Sequence, residues 1–133
     1  MNKILIFLLV TSSAFAIGRY ALEDIVAKLD VTSFSSSIGP RKEQGKIHFI
    51  DYGFSEPEIR GNVAVIKGKD WIFRVTLLHR TLWNAIVCIE DQATNGGSYH
   101  TQAPYLLIPN KDKTVFTAQT KKIEDKGCPR FEK

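Results

Sequence analysis

Few side chains in this sequence could build a reactive site. They are His48, His79 and His100, the cysteines Cys88 and Cys128, and the adjacent carboxylates Glu90 and Asp91. No two histidines stand at a zinc-ligand spacing, and no second cysteine lies near Cys88 to make a Cys-x-x-Cys pair. A metal site would have to be assembled wholly by tertiary contact, so neither a metal nor a cofactor is expected. Glu90 and Asp91 are neighbours, and successive strand residues point to opposite faces, so they do not serve one general acid–base site. Asp91 at a strand end suits turn formation. Asp91 with Asn95 lacks the ladder of oxygen ligands that a calcium loop needs. No Gly-x-Ser-x-Gly elbow occurs. A nucleophilic Cys88 would need a thiolate and a nearby base, which an oxidising compartment opposes. No catalytic residue is assigned.

The most suggestive polar cluster is Tyr99-His100-Thr101-Gln102, which follows the turn signal Thr94-Asn95-Gly96-Gly97. Asn-Gly and Gly-Gly accept the positive φ of a tight hairpin turn. Alternation places Tyr99, Thr101 and Ala103 on one face, and His100 and Gln102 on the other, where Arg74 or Asn84 from neighbouring strands could join them. Hairpin ends on a rigid sheet are where binding function collects. Tyr99 is a large, rigid side chain with a polar tip, the kind that anchors interfaces. Arg41 would add a cation from a long loop. The expected binding surface is therefore Arg41, Asp91, Asn95, Tyr99, His100 and Gln102. An ordinary solvated sheet face has the same alternation.

The stretch Asp70–Pro109 must position this cluster, and it reads as three successive antiparallel strands. Trp71, Phe73, Val75 and Leu77 alternate on one face, with Ile72, Arg74, Thr76 and Leu78 on the other. Around a polar His79-Arg80-Thr81 turn, Trp83, Ala85, Val87 and Ile89 continue the first face. Ser98 to Ile108 returns as a strand, which Pro104 marks as an edge or bulged one. Before this stretch, Ile17 to Asp30 reads as a helix with Leu22, Ile25, Val26 and Leu29 on one face. Thr32 to Gly45 reads as loop, with Phe34 and Ile38 tucked in. Its serines and Gly39-Pro40-Arg41-Lys42 have the composition of an anion cradle but not the pattern of a P-loop. Ile47 to Phe54 suggests an irregular strand, and Glu58 to Lys67 a strand with a bulge at Gly61. Asn110 to Lys113 turns again, and Thr114 to Ile123 is the last strand.

One helix and about six hairpin-linked strands imply an α+β fold: an N-terminal helix packed on a strongly curved antiparallel sheet. A helix-capped β-sandwich is the alternative. In architecture alone, the order resembles that of cystatin-like and nuclear-transport-factor-like domains. No motif places the chain in either group.

Residues 1–16 read as a cleaved signal peptide: Lys3, the apolar run Ile4 to Val10, and Ala14-Phe15-Ala16. That run is too short for a permanent membrane anchor. Residues 17–133 then form a single domain in the periplasm or the medium. From Ile17 to Pro109 ten Lys/Arg balance ten Asp/Glu, whereas Asn110 to Lys133 carries seven basic and four acidic residues. A modest basic end of an exported chain suits a solvated surface, and nucleic acid is not an expected partner. In that compartment Cys88 and Cys128 form a disulfide. The function expected is recognition or inhibition of another envelope or secreted protein, as in inhibitors and immunity-like proteins. The alternative is a small enzyme or ligand carrier with a cavity between helix and sheet.

Overall fold

The computed structural model describes residues 20–35 and 40–133. The expected leader, the first residues of the expected helix, and Ile38 and Gly39 of the Ser-rich loop lie outside them. Helix α1 spans Leu22–Lys28 and buries Leu22, Ile25 and Val26. Glu23 and Asp24 in its first turn and Lys28 in its last complement the helix dipole. The helix ends because Leu29 turns extended and, with Asp30, forms the short strand β1 (Leu29–Asp30). The Asp30 carboxylate then accepts from the Thr32 amide and starts a 3-10 turn at Val31–Ser33.

A single sheet follows. Its strands are β2 (Glu58–Arg60), β3 (Val63–Lys67), β4 (Trp71–Arg80), β5 (Ala85–Ala93), β6 (His100–Pro109), β7 (Phe116–Ala118) and β8 (Phe131–Glu132). The order is β1-β7-β6-β5-β4-β3-β2, with β8 added to β6. Every pairing is antiparallel except β1 with β7. The sheet curves into a half-barrel around α1, which is the expected α+β arrangement. The sandwich alternative would need a second sheet, and the described strands make one.

Period-two alternation makes the inner face. Ala64, Ile66, Phe73, Val75, Val87, Ile89, Ala103, Tyr105, Leu107 and Phe116 are buried there with α1, Val31, Phe34 and Phe49. Each such large apolar side chain contributes about 1.5–3 kcal/mol on leaving water.

Several local expectations give way to non-local structure. Residues Phe49–Tyr52 form a 3-10 turn rather than a strand. The Asp51 carboxylate caps it by accepting from the Ile47 and His48 amides, and Gly53 closes it at φ 81°. Gly61, at φ 59°, is the turn between β2 and β3 and not a bulge within one strand. The bulge lies in β4 instead, where the register shifts between Leu77 and His79. The β4–β5 turn falls at Thr81 to Asn84, so Trp83 leaves the inner row and stands 66 % exposed. The final expected strand shortens to β7. Pro104 is tolerated because its strand edge is unpaired there, between the residues that pair with β8 and those that pair with β7.

Cys88 and Cys128 are bonded, with Cα atoms 5.5 Å apart. Cys88 lies on the outer side of β5, opposite in parity to Val87 and Ile89, so the disulfide holds the C-terminal segment against the outer face.

Candidate functional site

The strands β4, β5 and β6 carry two polar groups near the Thr94–Ser98 hairpin, one on each face. The inner group is Asp91, Thr101 and Tyr99. Asp91 pairs with Phe73 on one side and Thr101 on the other. Both Asp91 and Thr101 are buried, at 3 % and 2 % exposure. Asp91 Oδ1, Thr101 Oγ1 and the Tyr99 hydroxyl have no hydrogen-bond partner. Burial pushes the Asp91 carboxyl up to about 7, since its charged form loses water and gains no compensating donor. Burial also raises the Tyr99 phenol. The Thr101 hydroxyl, close by but outside bonding geometry, opposes that rise. The Tyr99 ring stands edge-on to Trp71, centroids 5.2 Å apart.

The outer group is Arg74, Glu90, Gln92, His100 and Gln102. The Arg74 guanidinium donates to Glu90 Oε1 and, at 3.3 Å, to Gln92 Oε1. His100 Nε2 lies 3.5 Å from the same Glu90 oxygen. The His100 ring meets Phe131 edge-on at 4.9 Å. Strand β8 pairs with Thr101 and Gln102, and Gln102 Nε2 donates to the Pro129 carbonyl at 2.8 Å. The chain's own C-terminal segment therefore covers this side of His100 and Gln102.

The expected surface is thus divided. Asp91 and the half-buried Tyr99 belong to the inner face, His100 and Gln102 to the outer. Asn95 is exposed, and its side chain accepts from the Gly97 amide, which shapes the turn. Arg41 is exposed in its loop, and no hydrogen bond or ion pair joins it to the others among the described residues. Thr101 and Glu90 complete the two groups. A signal for the inner placement was present: Ala85, Val87, Ile89, Asp91 and Ala93 share one parity.

The remaining histidines serve local structure. His48 Nδ1 meets the Leu29 carbonyl at 3.0 Å. His79 Nε2 lies 3.0 Å from Asp125 Oδ2, beside a shallow open depression with Leu78 and Glu124 to Gly127. Among the described residues no three His, Cys, Asp or Glu side chains cluster tightly enough to hold a metal ion. A buried neutral carboxylic acid can donate a hydrogen bond, and among the described residues burial is the cause of the Asp91 shift, with no charged neighbour contributing to it.

An apolar cleft of about 90 Å³ opens between α1 and the 3-10 turn, lined by Val26, Ala27, Phe49, Ile50, Ser55, Glu56, Pro57 and Ile66. Drug-sized ligands occupy some 300–1,000 Å³, so this cleft admits a side chain rather than a whole small molecule. Ile50 at its rim is 65 % exposed, and Ile47 just before it 41 %. Among the described residues no helix is long and apolar enough to cross a membrane. Compared with protein-family models, curated proteins and solved structures, the chain has no match.

Proposed function

We propose that this chain is a small exported binding protein of the periplasm or the medium that recognises or inhibits another protein. The observation that carries the reading is the exposed pair Ile47 and Ile50 beside an apolar cleft of side-chain size. Large apolar side chains left in water next to a socket are the usual mark of a protein contact. The support beneath them is rigid. Phe49 is anchored edge-on to Phe54 and tilted on Phe73, and the Asp51 cap holds the turn in shape.

The test compares tagged wild-type protein with Ile50→Asp in capture from envelope extract, followed by titration with the purified partner. The reading expects a defined partner whose affinity falls at least about tenfold in the variant, or 1.4 kcal/mol. Equal capture by both proteins, or turnover of a small substrate with no partner recovered, counts against it. A second reading, a ligand carrier or small enzyme, has one observation in its favour: the buried acid Asp91 on the inner face. It expects Asp91→Asn to abolish ligand uptake while Ile50→Asp does not.

A further inference from the structure

The sheet ends at β2, and among the described residues no strand pairs with its outer edge. Its three residues, Glu58, Ile59 and Arg60, are all exposed. Neither Glu58 nor Arg60 makes an ion pair among the described residues.

The backbone direction along this edge follows from its neighbours. The Leu77 amide donates to the Asn62 carbonyl, and the Gly68 amide to the Trp71 carbonyl, both at 2.8 Å. Antiparallel strands alternate their bonding side from residue to residue. Asn62, Ala64, Ile66 and Gly68 therefore turn their backbone groups toward β4, and Val63 and Val65 turn theirs toward β2. Val63 stands opposite Arg60 and Val65 opposite Glu58, so the backbone groups of Arg60 and Glu58 face inward. Ile59 stands opposite Ala64. Its N–H and C=O point away from the sheet.

The flanks of Ile59 limit the register. Two residues before it, Pro57 has no N–H to give. Two residues after it, Gly61 turns the chain back at φ 59°. A second strand exchanges a full pair of backbone bonds with this edge at Ile59 alone.

We infer that the chain forms a weak two-fold dimer through β2, with a second copy running antiparallel and the two Ile59 residues on the axis. Each Ile59 amide then donates to the Ile59 carbonyl of the other copy. Glu58 of each copy stands opposite Arg60 of the other. These are the non-hydrogen-bonded positions, where side chains of antiparallel strands lie closest and opposite charges attract. The two Ile59 side chains, each 37 % exposed, meet on the face that Ile59 shares with Ala64. Charges and a proline on a short edge strand discourage pairing in general. Here the sign of the charge reverses about Ile59. The same residues therefore attract an antiparallel copy and repel a parallel one, in which Glu58 would face Glu58. A three-residue ladder buries little surface, so the contact is a transient one. It does not rest on the Ile50 reading, because neither Glu58 nor Arg60 lines that cleft.

The test sediments the full chain from about 10 μM to about 1 mM, the range in which a weak contact forms. The wild type should pass from monomer toward dimer as concentration rises. The Ile59 amide should exchange hydrogen more slowly at the upper concentration, while the Glu58 and Arg60 amides, already turned to β3, stay unchanged. Glu58→Arg makes both flanks of Ile59 basic, and Arg60→Glu makes both acidic. Each alone should weaken association at least about tenfold. An equimolar mixture of the two variants should restore it, because every carboxylate then meets a guanidinium. The double variant, Glu58→Arg with Arg60→Glu, should associate like the wild type. A chain that stays monomeric at about 1 mM overturns the proposal. Association that both single variants keep overturns it in favour of another surface, and a mixture that restores nothing overturns the register. If a single variant fails to fold, the double variant and the Ile59 exchange decide.

Discussion

Asp91 and Thr101 face each other across β5 and β6 on the inner side of the half-barrel, both buried, and neither the carboxylate Oδ1 nor the hydroxyl finds a hydrogen-bond partner. An unpaired buried carboxyl lowers its cost by keeping its proton, and the domain's response to pH follows from that pair.

The sign is set by the direction of the shift. The Asp91 carboxyl sits at about 7 in the folded chain, above the 3.8 of its ordinary value. The folded state therefore holds a proton that the unfolded state has released between those two limits. The contribution of Asp91 is fully present below about pH 4 and is lost as pH rises to about 7, by on the order of 4 kcal/mol. Asp91→Asn should flatten that decline. Urea unfolding at stepped pH reads it; a wild-type curve that is level between pH 4 and 7 would show that Asp91 ionises freely. Asp51 works in the other sense. Amide donors from His48 and Ile47 lower its carboxyl, so its contribution is lost only at more acid pH.

Removing the disulfide should cost about 2–5 kcal/mol, because it closes a long loop in the unfolded chain. Its two ends are 40 residues apart. Cys88→Ala with Cys128→Ala should also release the C-terminal segment, exposing the bonds between His100 and Lys133 and between Gln102 and Pro129. Faster hydrogen exchange at His100, against unchanged exchange in β4, is the expected pattern. Mass spectrometry should show the native chain gaining two hydrogens on reduction.

Tyr99 and His100 should separate in their effects. Tyr99→Ala removes an edge-on contact with Trp71 and part of the inner packing, so a loss of about 2 kcal/mol is expected. Tyr99→Phe keeps the ring and drops an unbonded hydroxyl, so it should be neutral or slightly stabilising. His100→Ala should cost less than about 1 kcal/mol, the usual scale of a partly exposed pair. Thermal melts of the three variants check the order. Equal losses for Tyr99→Ala and Tyr99→Phe would mean that the hydroxyl is bonded in solution.

Gly68→Ala should destabilise by about 1–3 kcal/mol through overpacking. A Cβ there would lie 2.6 Å from the Phe54 ring, which is itself packed edge-on against Phe49 and Phe73. Gly61→Ala meets no atom and is strained only by its φ of 59°, a smaller cost of about 1 kcal/mol. Pairing Gly68→Ala with Phe54→Leu should recover part of the loss. No recovery would place the strain elsewhere.

Local pattern was sufficient for the parts of this fold that local physics controls. The stripe Leu22, Ile25, Val26 requires a helix with one buried side. The alternation from Trp71 to Val75 and from Ala85 to Ile89 requires strands with one buried face. Two cysteines allow a single intramolecular bond. Tertiary structure decided what those faces meet. Parity alone put Asp91 in the same row as Val87 and Ile89, but only the curvature of the sheet, with Phe73 and Thr101 beside it, removed its water. Trp83 shares that parity and is exposed, because the turn bonds of Thr81 end the strand pairing around it. His100 and Gln102 were legible as an outward row. Their cover, the segment brought by Cys128, lies more than twenty residues further along the chain, beyond the reach of any periodicity.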